Sequence, residues 1–352
     1  MSVLTVVGAR PQFVKAAAVS RQLRGRLEET VVHTGQHYDR ELSAVFFEEL
    51  DLEEPDHHLG VGSASHAVQT AEVMVGLERI IEEERPDVVL VYGDTNSTLA
   101  GAMAAAKREP AIAHVEAGLR SGDTSMPEEV NRICTDHCAD RLYAPSRDAV
   151  ANLEREGIGA GVVESGDVMY DTLLSVRDGL ADVSIDGIDV PEEFVLATVH
   201  RAGNTDDPER LAGIVDGLSR LPKPVILPAH PRTVEALERE GLRERANEGI
   251  DLVEPQGYLP FLRLVAEADC VATDSGGVQK EAFYLETPCV TLRDTTEWVE
   301  TIEAGWNVLV GADADRIVDA VGAAGDPPAK PDLYGGGTAA ARIVDDLERL
   351  VA

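Results

Sequence analysis

Residues 111–132 read AIAHVEAGLRSGDTSMPEEVNR, and this stretch decides the fold class. Ala111-Ile112-Ala113-His114-Val115 is an apolar run of strand length, and Glu116 follows it at once. A polar loop leads to Pro127-Glu128-Glu129, where proline in a first turn and acids beside the positive end of the helix dipole open a helix. Strand, loop and helix in this order make a βα unit, and in open α/β sheets ligands bind at the carboxyl ends of the strands. Glu116 therefore stands where a ligand is expected, and an acid ending a buried strand needs a partner. Glu128 and Glu129 have two readings, as ordinary helix-start residues or as part of the same site.

The pattern repeats on either side. Ser2–Val7 is a β-branched apolar run, followed by Gly8-Ala9-Arg10-Pro11 and a helical pattern from Gln12 to Leu23. Arg10 and Lys15 lie at this helix start, where basic residues oppose the dipole, so an anionic ligand is expected there, the alternative being a solvated pair. Residues 86–92 form a continuous buried strand ending in Gly93-Asp94-Thr95-Asn96. Asp94 either caps the next helix or shares a crevice with Glu116. Arg141–Ser146 reads as the last strand of this half, and the glycines at 157, 159, 161 and 166 as a loose region.

Strands and helices alternate again from Phe194: 194–199 into His200, 225–227, 252–253, 270–273 and 290–292. Asp274-Ser275-Gly276-Gly277 opens a helix with a capping serine and two glycines that admit a ligand to the free N–H groups, a phosphate-binding arrangement. The alternation predicts an α/β protein of two Rossmann-like, doubly wound parallel-sheet domains: residues 1–168 with a returning C-terminal helix at 338–352, and residues 169–337. The Gly-Ile-Gly-Ala-Gly run at 157–161 lacks the dinucleotide spacing and a preceding strand, so NAD binding is rejected.

Composition bounds the partners. The 352 residues carry a net charge of -33, which excludes a general nucleic-acid binder and an anionic-membrane binder. Lysine occurs only at 15, 107, 223, 280 and 330, and a surface so acidic suits a cytosol of very high salt. Cys134, Cys138, Cys270 and Cys289 form no disulfide framework, and Cys134, His137 and Cys138 on one helical face read as helix packing. Asp313-Ala314-Asp315 reads as a helix cap rather than a metal motif. With no long apolar run and no leader at the N-terminus, a cytoplasmic protein is expected.

Together, GARPQFVK (8–15), TGQHYDREL (34–42), VYGDTNSTLAGAMAAA (91–106), HVEAGLRSGD (114–123), PEEVNR (127–132), PQGYLPF (255–261) and TDSGGVQKEA (273–282) resemble the non-hydrolysing UDP-N-acetylglucosamine 2-epimerases over nearly the whole chain. The resemblance implies the glycosyltransferase-B architecture, a homodimer, and C2 epimerisation by loss and return of UDP through a 2-acetamidoglucal, with no cofactor and no metal. It implies that Asp94, Glu116 and Glu128 are the acid/base groups, with His200 near the phosphate. Arg10, Lys15, Ser275, Gly276 and Gly277 would hold the diphosphate, Gln256 and Phe261 the uracil, and Glu281 the ribose. Which acid removes the proton stays open; clustered carboxylates shift one another's pKa values apart. Gln36 and His37 match in part the loop of an allosteric UDP-sugar site. Two runs depart from the pattern: His200-Arg201-Ala202-Gly203-Asn204 and Thr296-Glu297-Trp298-Val299-Glu300. Trp298 replaces a nucleotide-contacting arginine whose role would pass to Arg293, and the wording resembles the branch acting on UDP-2,3-diacetamido-glucuronate. A UDP-sugar glycosyltransferase and a hydrolysing epimerase are the rival readings.

Overall fold

A computed structural model describes residues 2–35, 49–50, 52–325 and 327–350, the Arg10 side chain excepted. Gln36, His37 and that side chain lie outside the described residues. Two compact units are present, Met1–Ser175 with Asp332–Ala352, and Val176–Pro331.

The strands of unit 1 are β1 (Ser2–Val7), β2 (Glu28–His33), β3 (His57–His58), β4 (Val88–Tyr92), β5 (Ala111–Val115), β6 (Arg141–Ala144) and β7 (Val162–Glu164). They form one all-parallel sheet in the order β3-β2-β1-β4-β5-β6-β7. Unit 2 contains β8 (Val195–Thr198), β9 (Val225–Pro228), β10 (Ile250–Val253), β11 (Cys270–Thr273), β12 (Cys289–Thr291) and β13 (Asn307–Leu309), all parallel in the order β10-β9-β8-β11-β12-β13. Each unit thus runs outward in both directions from its first strand, and the order reverses between β1 and β4 and between β8 and β11. Those reversals are the topological switch points at which doubly wound sheets bind ligands.

Both faces of each sheet are covered, which is why the strands read as continuous apolar runs. In β8, Val195 and Ala197 enter one core cluster while Leu196 enters another. Truncating such a residue, Leu196→Ala, costs about 2–5 kcal/mol through lost burial and a residual cavity. In unit 1, Leu4 and Val6 of β1 and Val89 and Val91 of β4 pack with Val73, Leu77 and Ile81 of the helix His66–Glu84. The helix Ala339–Leu350 belongs to unit 1, where Arg26 pairs with Asp345 and Glu348 at 2.7 Å each and the Ala340 amide donates to Asp171.

Two expectations are corrected. Arg141–Ala144 is not the last strand of its half: Val162–Glu164 adds a seventh, whose two half-exposed valines and exposed Glu164 at a sheet edge leave no apolar run of strand length to read. Asp94 does not cap the helix Asn96–Ala105; Thr95 does, its hydroxyl accepting from the Thr98 amide at 3.3 Å. Asp313 and Ser275 do cap their helices, accepting from Arg316 and Val278 amides at 2.9 and 3.4 Å.

Candidate functional site

In unit 1 the switch point is tied together by Gln12. Its Oε1 accepts from the Gly8 and Ala9 amides at 2.8 and 3.0 Å, and its Nε2 donates to the Tyr92 carbonyl at 2.8 Å and Thr98 Oγ1 at 3.0 Å. One buried neutral amide therefore joins the exit of β1 to the exit of β4. The register continues the alignment into β5: Tyr92 pairs with Val115, so Gly93-Asp94 and Glu116 leave neighbouring strands side by side.

Glu116 is buried and adopts φ 72, a left-handed conformation uncommon for a residue other than glycine. Its Oε2 forms a buried ion pair with Lys15 Nζ. The basic residue at the start of the first helix thus faces a carboxylate of its own chain. Gly93, at φ 64, lets the turn pass over the pair: a Cβ there would stand 3.0 Å from Lys15 Nζ and 3.2 Å from Glu116 Oε2. Asp94, the next residue, accepts from Arg132 Nη2 at 2.6 Å, and Asn131 Nδ2 donates to its carbonyl at 2.9 Å.

Arg132 separates the two glutamates of the Pro127–Cys138 helix by function. Its Nη1 holds Glu129 at 2.7 Å, and Glu129 also accepts from the Ser121 and Gly122 amides at 3.0 Å. Burial opposes ionisation of Glu129, but those amides and Arg132 carry its carboxyl below the ordinary range. Glu129 thus closes the loop 121–129. Glu128, half-buried, makes no side-chain hydrogen bond or ion pair with any described residue and is open to a ligand. It stands one helical turn before Arg132, on the side of the helix from which Arg132 reaches Asp94.

In unit 2 the tie is Asp274, fully buried. It accepts from the amides of His200 (3.1 Å) and Arg201 (3.0 Å) and from Asn204 Nδ2 (3.1 Å), joining the exit of β8 to that of β11. His200 Nδ1 lies 3.3 Å from Asp274 Oδ1, and the imidazole is 44% exposed, so it faces outward from the tie. Ser275, Gly276 and Gly277 follow at the start of the Gly276–Tyr284 helix. A Cβ on Gly276 would stand 2.5 Å from Glu297 Oε1, so only glycine lets the carboxylate approach this backbone.

The departing run around Trp298 is built into this wall. Lys280 Nζ sits 4.1 Å above the Trp298 ring, a buried cation–π contact. Arg293 is buried with Nη2 3.0 Å from Glu297, and Arg201 lies 3.8 Å from the same carboxylate. Glu281 is buried, and desolvation pushes its carboxyl up to about 7 against the opposing pull of Lys280 and the Tyr258 hydroxyl. Phe261 packs, half-buried, against the core cluster that includes Val278 and Ala282, and Gln256 Nε2 donates to the Glu254 carbonyl at 2.9 Å.

Unit 1 accordingly brings Lys15, Asp94 and Glu116 together, and unit 2 brings His200 to the Ser275-Gly276-Gly277 turn. Sequence reasoning passed over Gln12, Asp274 and Arg132, whose partners are distant in the chain. Among the described residues no group of three or more His, Cys, Asp and Glu side chains is arranged to hold a metal ion, and no helix is long and apolar enough to cross a membrane.

The family described as UDP-N-acetylglucosamine 2-epimerase matches residues 21–348. A Pseudomonas aeruginosa protein, UDP-2,3-diacetamido-2,3-dideoxy-D-glucuronate 2-epimerase, is 47% identical over 99% of this chain and 100% of its own. A Methanococcus maripaludis protein named UDP-N-acetylglucosamine 2-epimerase homolog is 46% identical, again covering 99% and 100%. The crystal structure of Methanocaldococcus jannaschii UDP-GlcNAc 2-epimerase in complex with UDP-GlcNAc and UDP matches with a TM-score of 0.91 at 39% identity, over 99% of this chain and 100% of that one. On a match spanning nearly all of its length, the chain belongs to the UDP-N-acetylglucosamine 2-epimerase family.

Proposed function

We propose that the protein interconverts UDP-N-acetylglucosamine and UDP-N-acetylmannosamine by eliminating and re-adding UDP. The observation that carries this reading is Glu116, buried in a left-handed backbone conformation against Lys15, beside Asp94 at the switch point of unit 1. The C2–H of the sugar is not next to a carbonyl, so simple deprotonation is too costly at neutral pH. Elimination avoids the carbanion: a base takes the C2 proton, a C1–C2 double bond forms, and UDP departs with the C1–O electron pair. Re-addition delivers a proton to the other face of C2 while UDP oxygen attacks C1. Asp94, Glu116 and Glu128 are the acid/base groups of this scheme. Arg10, Lys15, His200, Ser275, Gly276 and Gly277 stabilise the departing diphosphate, the last two through the free amides of a helix start. Glu281 takes the ribose, and Gln256 and Phe261 the uracil.

A second reading concerns the sugar alone. The 47% identity to the Pseudomonas aeruginosa diacetamido-glucuronate enzyme, with Trp298 packed under Lys280 and the buried Arg293 paired with the neighbouring Glu297, favours a uronate substrate. Incubation with each UDP-sugar in molar salt, followed by NMR of the intact nucleotide sugar, separates the two. Turnover of UDP-N-acetylglucosamine supports the first reading; turnover of the uronate alone transfers the chemistry to the second.

The net charge of -33 supports a haloarchaeal-like protein working in a salt-rich cytoplasm, where short-range screening removes the repulsion. A homodimer is part of the same proposal, as are functional domains divided at 168/169 with the helix from 338 joined to the first.

A further inference from the structure

His114 is completely buried in β5, two residues before Glu116, and has no place in the scheme above. Its Nε2 lies 2.7 Å from the Gly93 carbonyl oxygen and its Nδ1 2.7 Å from Asp136 Oδ1. A carbonyl oxygen only accepts, so Nε2 carries hydrogen. On the other side, Asp136 Oδ2 already accepts from the Gly118 amide at 3.1 Å and Arg120 Nη1 at 2.8 Å. Burial opposes ionisation of Asp136, but the Arg120 guanidinium and the Gly118 amide on its Oδ2 both favour the carboxylate, whatever the state of His114. A carboxylate with those donors has no proton to give, so Nδ1 donates as well. A ring donating from both nitrogens is an imidazolium.

We propose that His114 is a buried imidazolium and a positioning residue: through Nε2–H it clamps the Gly93 carbonyl and so fixes the turn that sets Asp94 beside the Lys15–Glu116 pair. Charge-assisted hydrogen bonds are shorter and stronger than neutral ones, which suits a turn held at φ 64. The surroundings supply the countercharges. Asp136 lies between His114 and Arg120, and Arg120 passes on through Nε and Nη2 to both oxygens of Glu156 at 2.7 Å. Charges alternate from Gly93 outward, His114, Asp136, Arg120, Glu156, so each buried ion has an opposite neighbour. The proposal rests on the reading of Asp94 and Glu116 as acid/base groups, but the state of the ring does not.

The test is nitrogen-resolved NMR of the histidine side chains in the full-length enzyme, with the His114 signals assigned by their loss in His114→Gln. Both ring nitrogens of His114 are expected to give protonated-type signals in the folded enzyme. In Asp136→Asn, which keeps the shape and removes the countercharge, one nitrogen is expected to become pyridine-like, and kcat to fall about 10²-fold with KM little changed. His114→Gln, which retains one donor, should lose less kcat than His114→Phe. A pyridine-like nitrogen in the wild type, or a folded Asp136→Asn enzyme with unchanged kcat, overturns the proposal. Should His114→Gln fail to fold, Asp136→Asn still decides it. Full turnover in Asp94→Asn and Glu116→Gln would sink the reading beneath it while leaving the nitrogen signals to report the ring.

Discussion

The two units solve one structural problem with different chemistry. In each, two strand exits flank the point where the sheet order reverses, and a single buried side chain ties them. Unit 1 uses the neutral amide of Gln12, and unit 2 the carboxylate of Asp274. The neutral tie leaves the charge at unit 1's switch point to Lys15, Glu116, Asp94 and Arg132, four ionisable groups in buried or half-buried pairs. The anionic tie in unit 2 spends its acceptors on backbone amides and Asn204, and leaves the imidazole of His200 exposed next to Asp274, just before the helix Gly276–Tyr284. In the proposed scheme the acid/base groups all lie in unit 1, whose tie is neutral, while unit 2, whose tie is anionic, contributes His200 and the Ser275-Gly276-Gly277 turn to anion binding.

The sharpest break of this comparison is catalytic. Glu116→Gln is expected to lower kcat by about 10²–10⁴-fold while UDP affinity, measured by calorimetry, stays near wild type. Loss of UDP binding together with kcat would erase the division. Next in size is the contrast between the ties. Asp274→Leu removes the acceptor of three donors and should destabilise unit 2 by about 3–5 kcal/mol. Gln12→Leu, which strands neutral partners only, should cost about 1–3 kcal/mol. Denaturant midpoints of the two variants compare them, and equal shifts would show that the charge of the tie is irrelevant.

The smallest effect is a difference of sign with pH. Desolvation raises Glu281 in unit 2 from its ordinary 4.5 to about 7, so the folded state holds a proton that the unfolded chain has lost. Its contribution is present below the unfolded value and is lost as pH rises through that window. Glu129 in unit 1 is held below its ordinary range by amides and Arg132, so its contribution is present above the ordinary carboxylate range and is lost as pH falls. Thermal unfolding across pH should show Glu281→Gln gaining on wild type toward alkaline pH and Glu129→Gln gaining toward acid.

Much of this arrangement was legible beforehand. The apolar runs at 2–7, 111–115 and 270–273 became strands in full, because both faces of a covered parallel sheet demand apolar residues. Short edge strands left no such trace: His57–His58, Val162–Glu164 and Asn307–Leu309 pair on one side only, and their residues need not be apolar. The acids at strand ends stood out because a carboxylate after a buried run requires a reason. Their pairing with cations did not: Lys15 stood out as a basic residue at a helix start, but it lies 101 positions from Glu116, and Arg132 lies 38 from Asp94. Gln12 and Asp274 were invisible for the same cause: a tie is defined by what it joins, and the joined strands are distant in the chain.

The central claim, that acids in unit 1 remove and return the C2 proton during loss and return of UDP, is tested most directly by incubating the enzyme with UDP-N-acetylglucosamine in deuterated water. The account predicts deuterium at C2 in intact UDP-N-acetylglucosamine and UDP-N-acetylmannosamine. Epimer formed without deuterium, or free N-acetylmannosamine released with UDP, would contradict it.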